Sequence, residues 1–77
     1  MKTVQICLDS IDKVKSFVNA ITTFDAEFDL ISGRYVIDAK SIMGIFSLDL
    51  SKPITLNIHS ETDTEAIMAA IKPFIVE

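Results

Sequence analysis

Along this chain the spacing of apolar residues switches repeatedly between two and about three and a half, and this alternation limits the possible folds more than any single residue does. Val4, Ile6 and Leu8 alternate with Thr3, Gln5 and Cys7, the period of a strand with one buried face, over residues 2–8. Ile11, Val14, Phe17, Val18 and Ile21 then recur at three and four, with Asp9 or Ser10 placed to cap the first turn, so an amphipathic helix ends near Thr23. The runs AEFDLI and RYVID flank Ser32 and Gly33, whose glycine supplies the positive φ of a tight turn, and these runs pair antiparallel. Pro53 halts the helical pattern before it, and ITLNIH alternates Ile54, Leu56 and Ile58 with Thr55, Asn57 and His59 as a fourth strand. Thr62 and Glu65 are spaced as a capping box ahead of the stripe Ile67, Ala70, Ile71 and Phe74, with Pro73 shortening the end of that helix. The order is βαββαβα, an α+β pattern. Each strand has one apolar face to bury, so one sheet covered on one side by three helices is the expected outcome.

Seventy-seven residues suit one small domain, expected to span 1–77, that buries roughly 60% of its unfolded surface. Hydrophobic residues at 49% and charged residues at 23% support a packed core rather than disorder. No apolar run approaches the ~20 residues that cross a bilayer, and the opening MKTVQICLDS is too polar for a signal peptide, so no membrane role and a cytoplasmic location are expected. Seven basic against eleven acidic residues give a net charge of -4, which repels phosphate backbones and argues against a nucleic-acid partner. One cysteine, Cys7, and one histidine, His59, make neither a disulfide nor a zinc ligand set, and no cofactor or metal is expected.

The segment DAKSIMGIFSLDL is the chemically unusual one, because Ile42, Met43, Ile45, Phe46 and Leu48 leave a short helix almost no polar face. A helix of about two turns has one side against the sheet, so some of these residues meet water and form a patch suited to a partner. On the competing reading Ile42, Ile45 and Leu48 enter the core while Met43 and Phe46 rest on a neighbouring loop. Ser41 stands where an N-cap hydroxyl accepts from a free backbone N–H. A phosphate there would meet the positive end of the helix, with Lys40 placed to screen it, so capping and modification are compatible.

DAKSIMGIFSL, with the hairpin before it, resembles the histidine-containing phosphocarrier family (HPr) of the bacterial phosphoenolpyruvate-dependent sugar phosphotransferase system, from about Ser10 through Leu48 without gaps. The resemblance implies an open-faced β-sandwich built on an antiparallel four-stranded sheet. It also implies a regulatory serine, falling on Ser41, that a dedicated ATP-dependent kinase and phosphorylase modifies in some bacteria. A docking surface is implied on Ile42, Met43 and Phe46, beside Lys40.

The chain departs from that family's pattern at the start of the first helix. There the family carries a phosphoryl-accepting histidine followed two residues later by an arginine; DSIDKVKSF has Ser10 and Asp12 at those positions. A serine phosphate ester is too stable to pass its phosphoryl group onward as a histidine phosphoramidate does. Asp12, with Asp9 close by, places negative charge where the phosphate would sit. Lys13 and Lys15 restore some positive charge but lack the planar fork of arginine, and as solvated helix positions they need no further role. His59, at a strand end, matches no acceptor position of the family, and Cys7 has no cationic neighbour in sequence to activate it. The expectation is a non-enzymatic HPr-like regulatory module with no small-molecule substrate, whose partners are an HPr serine kinase/phosphorylase and a transcriptional regulator. The alternative is a degenerate module of the same fold that is never phosphorylated and serves as a structural subunit or a competitor.

Overall fold

A computed structural model describes residues 2–76. The elements follow the expected order: β1 (Lys2–Ile6), α1 (Ile11–Thr22), β2 (Glu27–Ser32), β3 (Tyr35–Asp38), α2 (Ile42–Phe46), β4 (Ile54–His59) and α3 (Thr64–Ile71), closed by a 3-10 turn at Lys72–Phe74. The strands form one antiparallel sheet in the order β1-β4-β2-β3. Alternation along each strand sends Ile6, Phe28, Leu30, Ile54, Leu56 and Ile58 to the inner face, where they join Val14, Phe17 and Ile21 of α1 and Ile67 and Ile71 of α3 in one core. Phe17 meets Phe74 edge to face with ring centroids 5.6 Å apart. On the outer face polar pairs cross between β1 and β4: the Thr3 hydroxyl donates to Asn57 Oδ1 at 2.8 Å and the Gln5 amide to Thr55 Oγ1 at 2.7 Å. No helix among the described residues is long and apolar enough to cross a membrane.

Four local expectations change. β1 stops at Ile6 rather than residue 8, because the C-terminal segment takes over its hydrogen bonds: the Cys7 amide donates to the Phe74 carbonyl at 2.8 Å and the Val76 amide to the Gln5 carbonyl at 2.9 Å. Leu8 is nevertheless fully buried. In the hairpin the register pairs Ser32 with Tyr35, so the turn residues are Gly33 and Arg34, with Gly33 at φ +59. Pro53 does not end α2, which stops at Phe46, where the Ser47 hydroxyl takes the Gly44 carbonyl and the Leu48 amide the Ile45 carbonyl, tightening the last turn.

The fourth change is at α3, where the capping box does not form. The Ser60 hydroxyl donates to the Thr62 carbonyl and accepts from the Thr62 amide, holding Thr62 in a turn, and Asp63 in the left-handed region at φ 58 becomes the residue before the helix. Pro73 acts as expected. With no N–H to offer, it stands where the regular helix has ended at Ile71 and a 3-10 turn takes its place.

Candidate functional site

Ser10, rather than Asp9, caps α1. Its backbone is extended (φ -145, ψ 158), its Oγ accepts from the Lys13 amide at 3.1 Å, and its carbonyl takes the Val14 amide at 3.1 Å. The Ser10 hydroxyl is thus engaged in holding the helix start. Asp9, one residue earlier, reaches forward to Lys13 with an Nζ–Oδ1 distance of 3.0 Å. That hydrogen bond, reinforced by the opposite charge, holds the Asp9 carboxyl below its ordinary value and raises the Lys13 ammonium. The positive charge that Lys13 carries is therefore matched by Asp9. Asp12 stays exposed on the first turn, and Lys15 is exposed with no ion pair among the described residues.

The second serine lies on α2, which packs against both α1 and β3. Ser41 is exposed, with φ -92 and ψ 99, and its Oγ accepts from the Gly44 amide at 3.3 Å. Behind it Ile45 is fully buried and Leu48 nearly so, while Ile42 is half-buried against the core. Met43 at 76% and Phe46 at 40% exposure face outward. Of the three apolar residues assigned to a docking surface, two have the required exposure and Ile42 serves mainly as packing.

Lys40 does not occupy the place given to it. Its Nζ donates to the Phe24 carbonyl at 3.0 Å and lies 5.6 Å from the centroid of the Phe28 ring, and its amide donates to Asp38 Oδ1 at 2.9 Å. Half-buried, it ties the approach to α2 onto the loop after α1, its ammonium directed away to Phe24 and Phe28.

His59 and Ser10 stand at opposite ends of the sheet, since β1 runs from Lys2 opposite Ile58 to Ile6 opposite Ile54 before leading into α1. The imidazole is held at 2.6 Å by Asp29 Oδ2 across the outer face. Cys7 is half-buried and free.

Sequence reasoning passed over a groove of about 630 Å³ at the end of the sheet where β1 and β2 finish. Its walls come from the β2–β3 hairpin, with Ser32, Arg34 and Tyr35, and from the α2–β4 connection, with Asp49 and Lys52. No spacing pattern links these positions, because the two loops converge only when β2 pairs with β4.

Comparison with known proteins follows from this geometry. The family described as "PTS HPr component phosphorylation site" matches residues 13–77. The chain belongs to the HPr family. The match begins just beyond Ser10 and Asp12. Among solved structures, HPr-C-His from Thermoanaerobacter tengcongensis superposes with a TM-score of 0.78 at 26% identity, covering 95% of this chain and 89% of that one. The phosphocarrier protein HPr from Bacillus anthracis gives 0.70 at 27% identity, covering 97% and 94%. A histidine-containing phosphocarrier protein of a mycoplasma, at 17% identity and a TM-score of 0.71 over 94% and 86%, shows the shared fold. No curated protein sequence matches significantly. The chain is therefore an HPr-like protein of the phosphotransferase system, with the antiparallel α+β HPr fold that its apolar pattern and the DAKSIMGIFSL segment led us to expect.

Proposed function

We propose that this HPr-like protein is a non-catalytic regulatory module that does not relay phosphate through histidine, binds protein partners through α2 and is modified at Ser41. The observation that carries the first part is the state of Ser10. At the acceptor-equivalent position the chain has a hydroxyl already accepting from the Lys13 amide, with Asp12 exposed beside it and the nearest lysine charge matched by Asp9. The one histidine, His59, is at the far end of the sheet. Ser41 is an accessible hydroxyl at the head of a helix that presents Met43 and Phe46, which supports recognition by an HPr serine kinase/phosphorylase and a transcriptional regulator.

A second reading, a degenerate HPr-fold module that is structural or competes for a partner and is never phosphorylated, is favoured by Lys40. Its ammonium is directed to the Phe24 carbonyl rather than to the Ser41 side chain.

Two incubations test the proposal. With enzyme I and labelled phosphoenolpyruvate the chain should take up no acid-labile label, and label on His59 or in α1 would overturn the reading. With an HPr serine kinase and ATP the chain should be labelled and Ser41→Ala should not. Label that survives Ser41→Ala would overturn the assignment of the modification to Ser41, and no label where a genuine HPr is modified would favour the second reading instead.

A further inference from the structure

We infer that the groove between the β2–β3 hairpin and the α2–β4 connection is a binding site for a small phosphate monoester with a planar body, of the nucleoside monophosphate class. Its volume of about 630 Å³ lies within the ~300–1,000 Å³ of small-molecule sites. Two of the chain's seven basic residues, Arg34 and Lys52, line it from different loops, and neither has an ion pair among the described residues. In a protein of net charge -4 such a convergence is a local reversal of sign. Elsewhere Lys13 is paired with Asp9 and the Lys40 ammonium donates to the Phe24 carbonyl, whereas Arg34 and Lys52 converge on one groove.

The kinds of group present select the ligand. Arginine presents a planar fork suited to two oxygens of one phosphate, lysine adds a point charge, and the half-buried Ser32 hydroxyl is a further donor on the same wall. A monophosphate has three terminal oxygens to meet all of these together, which a carboxylate has not. Tyr35 lines the same groove at 70% exposure, offering a flat face on which a planar body stacks.

Asp49 is the opposing element. Its Oδ1 accepts from the Ser51 amide at 3.1 Å and from the Ser51 hydroxyl, and these bonds hold its carboxyl below the usual carboxylate range, so it stays charged. It sets a modest net positive charge for the groove and predicts that its removal strengthens anion binding.

Adenosine monophosphate, inorganic phosphate and adenosine are the probes, titrated into the full chain while backbone amide resonances are followed at low and high salt. The monophosphate should give a saturable shift confined to Ser32–Tyr35 and Ser47–Lys52, weakened severalfold at high salt. Inorganic phosphate should shift the same amides more weakly. Arg34→Gln should weaken monophosphate binding about tenfold, as expected for loss of a charged hydrogen-bonding partner, and Asp49→Asn should strengthen it; both surface variants should keep the dispersed spectrum of the folded chain. Shifts that never saturate, shifts spread over the whole surface, equal binding of adenosine and its monophosphate, or unchanged affinity in folded Arg34→Gln would each overturn the proposal.

Discussion

A single residue's partners decide its chemistry at both serines. Ser10 and Ser41 carry identical hydroxyls, and each accepts from the amide three residues ahead, yet their surroundings differ in charge: Asp9, Asp12 and Lys13 around the first, a nearly uncharged α2 beyond the second. The ion pair at α1 gives a pH test. The Asp9 carboxyl is held below its ordinary value of 3.8, so its contribution to stability is fully present above that value and is lost as pH falls through the depressed one. Lys13 is raised above 10.5, so its side of the pair is fully present below that value and is lost only as pH rises through the raised one. Urea midpoints measured between pH 5 and pH 2 should therefore fall less steeply in Asp9→Asn than in the native chain. High salt should narrow the difference, because both side chains are about half exposed. Parallel slopes in the two proteins would show that the pair contributes nothing to folding.

The element whose behaviour is least ordinary is α2. Five residues cannot sustain a helix alone, so its conformation rests on Ile45 in the core, on the Ser41 cap and on the close approach at Gly44. A Cβ built at Gly44 would come 3.2 Å from Ser41 Oγ and 3.3 Å from Ile37 Cδ1. The isoleucine tip can shift, whereas the hydroxyl is fixed by its cap bond. Gly44→Ala should accordingly be close to neutral, within about 0.5 kcal/mol, because losing part of a cap worth about 1 kcal/mol offsets alanine's better helix propensity. In a Ser41→Ala background, with no cap to lose, the same change should become favourable, a coupling of at least about 0.5 kcal/mol in a double-mutant cycle of chemical denaturation. On the outward side of the helix, Met43→Glu should shift stability by less than about 0.5 kcal/mol and Phe46→Glu by about 1 kcal/mol, while both weaken capture of the HPr serine kinase in a binding assay. A loss of several kcal/mol for Met43→Glu would place that side chain in the core rather than in a docking patch.

For the molecule as a whole, stability is concentrated in one interlocked core. A domain of 77 residues has on the order of 4–12 kcal/mol to lose. Phe17 is fully buried and stacks edge-on with Phe74, the residue whose carbonyl anchors the C-terminal segment to Cys7 beyond the end of β1. Phe17→Ala should cost about 3–5 kcal/mol, a large share of the total, and should also loosen the C-terminal segment. Hydrogen exchange would show this as lost protection at the Val76 and Cys7 amides beyond that of the sheet centre; uniform loss across the sheet would mean that the C-terminal segment is not separately anchored through Phe74.

The order of elements and the identity of the core were legible in the chain because both follow from local periods: two for strands, three and four for helices, with Gly33 and Pro73 as punctuation. The DAKSIMGIFSL segment added the family, through its resemblance to that family's motif. What local pattern could not reveal was set by contacts across the sequence. Lys40 looked like a charge for Ser41 and turned out to clamp Phe24, sixteen residues away. β1 ended early because the C-terminal segment pairs beside it, and Thr62 left its helix cap because Ser60 captured its backbone in a turn. Arg34 and Lys52 share a groove only because strand pairing folds their loops together. A period is written into neighbouring residues and survives in isolation. The destination of a long polar side chain depends on which carbonyl, carboxylate or ring the finished fold brings within hydrogen-bonding reach, and that is a property of the packed molecule.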